Sequence, residues 1–244
     1  MAEFPRPRIV FSSCLTGDKV RYDGGSAENE FTLKLLEFSE PVKVCPEVSI
    51  GLGVPREKIV VYFDGKRPGV FQPSTGLDLT SRLSEFSEGF LMSLSEVDGF
   101  LLKAKSPSCG LSRTRTYRDR EGRVFRGLGK GLFALKVLEA FPHLPAGDEL
   151  MLADRRRRLH FLFRVFGLAR IREGDIDDFH SLISQTAKVL SPRLERRMRE
   201  ERDRRVYRDL FLRVFSKPPT LRVLEELCSL LVPEELLYSP YRLP

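Results

Sequence analysis

Short apolar runs alternate with amphipathic segments in the first part of the chain. Runs rich in Val, Ile and Phe predict buried strands, whereas apolar residues three or four positions apart predict helices that pack on them. The expected strands are residues 8–13, 42–44, 59–63 and 100–104, and the expected helices are residues 27–38, 81–97 and 130–141. Strands that alternate with helices are typical of the α/β class, so we expect a parallel-type sheet flanked by helices.

After Pro142, Pro145 and Gly147 the pattern changes to helices with no strand between them. The expected helices are residues 150–169, 176–190, 192–215 and 221–231. In the third of these, apolar residues recur in steps of four or eight and define one packed face. We therefore predict an α/β domain over residues 1–148, followed by an all-α C-terminal domain over residues 149–244.

Composition restricts the class of protein. Of the 244 residues, 41% are hydrophobic and 31% are charged, which is enough for one large core or two modest ones. Charge interrupts the apolar stretches too often for a membrane span, and the N-terminus lacks a signal-peptide pattern. The chain has four cysteines in 244 residues, which is few for a secreted disulfide scaffold. We therefore expect a cytoplasmic protein.

The net charge of +7 lies almost entirely in the helical segment. Residues 1–150 hold 21 basic and 20 acidic side chains, whereas residues 151–244 hold 20 and 14. Such a surface suits a large anion, of which nucleic acid is the commonest. The alternative is a solvated helical layer in which interleaved acidic residues pair with the arginines.

Three cysteines follow predicted strands, at Cys14, Cys45 and Cys109. Parallel strands deliver the residues after them to one edge of the sheet, so the three thiols should share a rim. Three thiolates without a fourth suit a zinc ion or an iron–sulfur cluster that keeps one position open. The alternative is that they are small buried apolar residues, but each lies in a turn rich in Gly, Pro, Ser and acidic residues. Cys228, in an apolar helical pattern, is expected to pack in the core.

The residues around these cysteines resemble the thiouracil desulfurase (TudS) family over roughly residues 8–150. The resemblance rests on Cys14-Leu15-x-Gly17, Arg21-Tyr22-Asp23-Gly24, Cys45-Pro46-Glu47, Gly51-Leu52, Pro55-Arg56, Asp78-x-Thr80 and Leu102-Lys103-x-x-Ser106-Pro107-Ser108-Cys109-Gly110. It implies a [4Fe–4S] cluster bound by the three cysteines and removal of sulfur from thiolated uracil as sulfide. Residues 151–244 resemble the helical domain fused behind this family in proteins that act on thiouridine in RNA, which implies tRNA as a partner.

The resemblance also implies roles for three polar residues. An iron without a protein ligand is a Lewis acid for a thiocarbonyl sulfur. Glu47 is expected to activate water or move a proton, Ser106 to hydrogen-bond the base or assist that transfer, and Asp23 to orient the ring or the water. Each residue has a structural alternative as an ordinary turn or capping residue.

Two other functions suit the same cysteines. One is a metal-bearing redox or sulfur-sensing protein without turnover, and the other is a zinc-stabilised RNA-binding module. The sequence leaves open whether the substrate is a free base, a nucleoside or a tRNA. If the helical segment is a separate RNA-binding domain, its removal should weaken tRNA binding and spare activity on free thiouracil.

Overall fold

The computed structural model describes residues 4–63, 65 and 67–238. The strands within these ranges are β1 (Arg8–Ser12), β2 (Glu40–Val44), β3 (Val60–Phe63), β4 (Pro68–Gln72), β5 (Leu77–Asp78), β6 (Gly99–Leu102), β7 (Thr114–Tyr117), β8 (Phe125–Gly129) and β9 (Ala146–Asp148). The helices of the first part are α1 (Glu30–Glu37), α2 (Pro46–Ser49), α3 (Thr80–Ser93) and α4 (Leu132–Ala140). Those of the second part are α5 (Arg155–Glu173), α6 (Ile176–Leu190), α7 (Pro192–Glu200), α8 (Arg204–Val214), α9 (Leu221–Leu231) and α10 (Glu234–Leu237).

The strands form two sheets rather than one. The first is fully parallel, in the order β2-β1-β6-β9, and confirms the predicted α/β class. The second is mixed, in the order β5-β4-β3-β7-β8. The sequence pattern predicted the strand β3 but gave no sign that it belongs to a second sheet. Its other strands were not predicted because they are short and rich in Gly, Arg and Thr, without a clear alternation of apolar residues.

The parallel sheet is buried on both faces. On β1, Ile9 and Phe11 face one side and pack with α1 and α5, whereas Val10 faces the other side and packs with α3 and α4. On β6, Leu101 joins the first group, and Phe100 joins the second. Burial on both faces explains why these strands are continuous apolar runs in the sequence.

The helical segment covers one face of this sheet. A single core contains Ile9, Phe11 and Leu101 from the strands together with Leu162 and Phe166 from α5 and apolar residues from α6, α8, α9 and α10. The approach is close, since a Cβ added at Gly99 would lie 2.8 Å from Cγ1 of Val165. The expected change to an all-helical pattern follows β9, but packing continues across residue 148.

Two of the helices expected in the second segment, α6 and α9, have the predicted bounds. The third, expected over residues 192–215, is two helices with a break at residues 201–203. The side chain of Asp203 accepts hydrogen bonds from the backbone of Arg205 and Val206, which begins α8 anew. No helix in the described ranges has the length and apolar character needed to cross a membrane.

Candidate active site

The carboxyl ends of three parallel strands bring the three predicted cysteines to one cavity. Cys14 lies in the helical turn after β1, Cys45 directly follows β2, and Cys109 lies in the loop after β6. All three line a cavity of about 500 Å³, together with Glu47 and Ser106. The structure therefore brings the three thiols to a shared cavity wall, as their positions after parallel strands led us to expect. Cys228 is buried in the helical core, and its thiol donates to the carbonyl of Leu159.

Burial raises the pKa of each of the three thiols, and neighbouring cysteines add to this shift at Cys14 and Cys109. Burial, and secondarily the charge of Cys45, raise the pKa of Cys14 from 9.0 to about 12. Burial also raises the pKa of Cys45, although backbone N–H groups at the start of α2 act in the opposite direction. The pKa of Cys109 is raised well above its ordinary value by burial, with further contributions from Cys14 and Cys45. A cationic group bound among the thiols would offset this cost.

The cavity is not a formed metal site. Across the part of the chain that the structure describes, no group of three His, Cys, Asp or Glu side chains is arranged to hold a metal ion. The structure thus shows three soft donors in one wall, whereas the predicted cluster site itself is not shown.

The loop that carries Cys109 is fixed by the first turn of α4. Backbone N–H groups of Gly131, Leu132 and Ala134 donate to the carbonyls of Gly110, Pro107 and Ser108. A Cβ at Gly131 would lie 2.4 Å from the carbonyl carbon of Ser108, so this contact requires glycine. The free N–H groups of a helix start are therefore used to hold the loop.

Glu47 is held by Arg56 and Ser108. Arg56 Nε and Nη2 donate to Oε2 of Glu47 at 2.9 and 2.8 Å, and Ser108 Oγ donates to Oε1 at 3.0 Å. Both partners of the ion pair are largely buried, with 7% of the Arg56 side chain and 12% of the Glu47 side chain exposed. Arg56 belongs to a motif in the sequence, but its role was not predicted.

Ser106 shapes the turn that presents Cys109. Its Oγ accepts hydrogen bonds from the backbone N–H groups of Ser108 and Cys109, at 3.2 and 3.0 Å. The preceding residue, Lys105, has φ of 62°, a left-handed conformation that costs about 1–2 kcal/mol for a residue with a Cβ. The hydroxyl of Ser106 thus has a structural role, while its side chain also lines the cavity.

Asp23 lies on an exposed turn and is absent from the cavity wall. Its carboxylate accepts from the guanidinium of Arg21 at 3.1 and 3.3 Å and from the backbone of Gly25 at 3.0 Å. The hydrogen bond from Arg21, followed by that from Gly25, lowers the pKa of Asp23. Of the three predicted catalytic residues, Asp23 is the one that the structure does not bring to the thiols, although its partner Arg21 lines the cavity.

Basic side chains dominate the charged part of the cavity wall. Glu47 is the acidic residue of the lining, and the basic residues of the lining are Arg21, Arg56, Lys58, Lys103, Lys105 and Arg115. Lys58 lies 5.1 Å from the centre of the Tyr22 ring, and Arg21 lies 5.5 Å from it. This excess of positive charge was not predicted, because the net charge of residues 1–150 is close to zero.

Glu149 is a buried residue next to the site that sequence reasoning missed. It pairs with Lys103 and accepts from the backbone N–H of Ala104 at 2.9 Å. These contacts connect the end of β9 with the end of β6. Sequence position gave no signal for this role because 45 residues separate the two partners.

Several arginines of the helical segment form ion pairs with acidic residues of the same chain. Arg199 pairs with Glu195, and Arg213 pairs with Asp209, each within one helix. Arg172 pairs with the buried carboxylate of Asp98, just before β6. These pairs agree with the alternative of a structural helical layer for part of the segment.

Sequence comparison assigns the first part of the chain to a family. The model of the 2-thiouracil desulfurase family matches residues 9–149, which is more than half of the chain. The chain therefore belongs to this family, and the predicted resemblance is confirmed. The match ends before α5, so the resemblance of residues 151–244 to an RNA-associated helical domain stays a prediction.

Two individual proteins are similar to this chain. The uncharacterized protein YbbK of Bacillus subtilis (strain 168) is 33% identical over 110 residues, which are 42% of this chain and 72% of that protein. A solved structure of a [4Fe–4S]-dependent thiouracil desulfidase, TudS, is 31% identical and matches with a TM-score of 0.45. That match covers 60% of this chain and 93% of the TudS chain.

Proposed function

We propose that the protein is an enzyme that removes sulfur from thiolated uracil by hydrolysis. Water supplies the oxygen that replaces sulfur on the ring carbon, and the sulfur leaves as sulfide, with no net oxidation or reduction. The observation that carries this proposal is the convergence of three thiols with Glu47 and Ser106 in one cavity of a 2-thiouracil desulfurase family member.

The donor set of the cavity fits a [4Fe–4S] cluster. Cysteine thiolates are the ligands that hold iron–sulfur clusters, and Cys14, Cys45 and Cys109 line one wall. We propose that these three residues hold the cluster, which supplies an iron without a protein ligand as a Lewis acid for the thiocarbonyl sulfur. The similar TudS protein is a [4Fe–4S]-dependent enzyme, which supports this assignment.

Glu47 is placed to handle the proton of the attacking water. Each carboxylate oxygen accepts more than one hydrogen bond, so the contacts with Arg56 and Ser108 leave Glu47 able to accept from a water molecule. The same contacts hold the carboxylate in one position. A fixed position suits a general base, because the base must lie within hydrogen-bond distance of the proton it takes. Arg56 is accordingly a positioning residue.

Ser106 and Asp23 take different roles. Ser106 Oγ accepts two backbone hydrogen bonds, so its own hydrogen is free to donate to the substrate ring or to water. Asp23 orients Arg21, which lines the cavity, and does not itself touch the substrate.

The basic wall favours a substrate that carries phosphate. Three of the six basic residues are ion-paired, Arg21 with Asp23, Arg56 with Glu47 and Lys103 with Glu149. Lys58, Lys105 and Arg115 also line the cavity and have no ion pair among the described residues. Free thiouracil is neutral in water and offers these three cations no negative charge. A nucleotide or an RNA presents phosphate oxygens, with which Arg and Lys form charge-assisted hydrogen bonds. We infer that the thiolated uracil is presented within a nucleotide or an RNA.

Anaerobic reconstitution followed by turnover assays tests this function. The protein should bind about four irons and four labile sulfides and convert thiouracil, thiouridine and thiouridine monophosphate to the oxygenated products with release of sulfide. The phosphate-bearing substrate should show the lowest KM. A reconstituted protein with a cluster and no sulfide release would support the redox or sensing alternative, and a protein with zinc and no labile sulfide would refute the cluster.

A further inference from the structure

A strongly positive surface lies on the second sheet, outside the helical segment. Strands β7 and β8 with their turn, residues 113–130, form what we call the basic hairpin. It contains six arginines and Lys130, against the two acidic residues Asp119 and Glu121. All seven basic side chains are exposed. Among the described residues, one of the seven basic side chains forms an ion pair: Arg120 lies 3.7 Å from the carboxylate of Asp78.

The acidic residues of the hairpin leave most of its charge uncompensated. Asp119 accepts from the backbone N–H groups of Arg123 and Val124, at 2.8 and 2.6 Å, and so closes the turn. In the helical segment, some arginines of α7 and α8 have acidic partners, as Arg199 and Arg208 do. With seven basic against two acidic side chains, the hairpin has a net charge of 7 − 2 = +5 within residues 113–130.

Aromatic rings lie under the cations of the hairpin. The guanidinium of Arg115 is 5.4 Å from the centre of the Phe125 ring and 6.0 Å from that of Tyr117. Phe125 is 50% exposed, and Leu128, opposite Arg115 in the register, is 63% exposed. Exposed arginines with aromatic rings form surfaces on which unpaired bases stack while the cations contact phosphates.

The basic hairpin is continuous with the cavity, because Arg115 also lines the cavity wall. β8 is the edge strand of its sheet, so the hairpin is accessible along one side. Pairing of this edge with a second copy of the chain would place the same seven cations against each other, which disfavours self-association. A polyanion complements the surface.

We propose that the basic hairpin binds a single-stranded segment of RNA and leads its thiolated uracil into the cavity. The proposal rests on the proposed function for the choice of base, and on the geometry of the hairpin for the choice of surface. It assigns the RNA contact to the α/β part of the chain. The net charge of residues 1–150 is close to zero, so that charge alone would not predict an RNA-binding surface there.

The test compares two triple variants of the reconstituted full-length protein that remove the same charge. Arg118→Ala/Arg123→Ala/Arg126→Ala changes the hairpin outside the cavity wall, and Arg193→Ala/Arg196→Ala/Arg197→Ala changes exposed positions of α7. Affinity for an unmodified tRNA transcript is measured by fluorescence anisotropy over a range of salt concentrations. Turnover of free 4-thiouracil reports on the fold and the cluster of each variant.

The hairpin triple should weaken tRNA binding at least tenfold and reduce the log–log salt slope by about 2, since each lost phosphate contact on a single strand contributes about 0.7. The α7 triple should change affinity less than threefold, and both variants should keep thiouracil turnover. Equal effects of the two triples, a larger effect of the α7 triple, or no tRNA binding by the unaltered protein would overturn the proposal. Absence of sulfide release from both thiouracil and thiouridine monophosphate in the unaltered protein would instead refute the proposed function, and the affinity comparison would still test the hairpin.

Discussion

Arg56 and Glu47 form a largely buried ion pair in which two guanidinium nitrogens donate to one carboxylate oxygen. Arg56 also donates to the carbonyl of Val20 at 2.9 Å. It therefore connects the loop after Cys14 with Glu47, which follows Cys45 by two positions. The position of the proposed base therefore depends on the same side chain that holds the loop around the thiols.

Replacing Glu47 with Gln should lower turnover of thiolated uracil by about 10²–10⁴, the usual contribution of a general acid–base step. The amide keeps the shape of the side chain but cannot take the proton. Steady-state kinetics at equal iron and sulfide content measures the effect, with the exposed Glu57→Gln as a control one residue beyond Arg56. A loss of less than tenfold would show that the carboxylate is structural.

Arg56→Lys should lower kcat more than it raises KM. A lysine keeps the charge next to Glu47 but offers a point contact instead of two donors that converge on one oxygen, so the carboxylate loses its fixed orientation. The measurement is a comparison of kcat and KM, with cluster content determined in the same samples. An unchanged kcat would contradict a positioning role for Arg56.

Sequence patterns predicted the chemistry of this site better than its electrostatics. Cys14, Cys45 and Cys109 could be placed together because parallel strands deliver the residues after them to one edge. The Arg56 contact could not be predicted, since it depends on how the loop after α2 returns to the cavity. The second sheet and the shared core were missed for the same reason, because pairing of short strands and the docking of α5 are decided by tertiary contacts.

The cysteine assignment predicts a contrast among single Ser variants. Cys14→Ser, Cys45→Ser and Cys109→Ser should each lose most of the cluster, because a serine hydroxyl is a poor ligand for iron compared with a thiolate. Cys228→Ser should keep it, since the hydroxyl can still donate to the carbonyl of Leu159. Iron and labile sulfide analysis after anaerobic reconstitution decides the point. A full cluster in Cys14→Ser would refute the assignment.

Removal of residues 151–244 should unfold the first part of the chain, contrary to what separate domains predict. The cut would expose one face of the parallel sheet, including Ile9, Phe11 and Leu101. Each large apolar side chain contributes about 1.5–3 kcal/mol when buried, and a whole domain is stable by about 5–15 kcal/mol. Circular dichroism and chemical unfolding of residues 1–150 measure this. A soluble fragment with a cooperative transition would show that the two parts fold separately.

His160 should make the protein less stable in mild acid. Burial, with a smaller contribution from Arg164, lowers the pKa of His160 from 6.5 to about 4. The unfolded chain therefore takes up a proton at higher pH than the folded chain does. The stability due to neutral His160 is fully present above pH 6.5 and is lost as the pH falls toward 4, by about 2 kcal/mol at pH 5.

The variant His160→Gln separates this effect from other acid-sensitive groups. Nε2 of His160 lies 2.9 Å from the carbonyl of Phe215, and a glutamine amide can donate to the same oxygen. We expect the free energy of unfolding of the unaltered protein to fall between pH 7 and pH 5 by about 2 kcal/mol more than that of the variant. Urea unfolding at the two pH values gives the difference. Parallel losses in both proteins would show that His160 is protonated in the folded state at pH 5, and that its burial does not lower its pKa as the structure indicates.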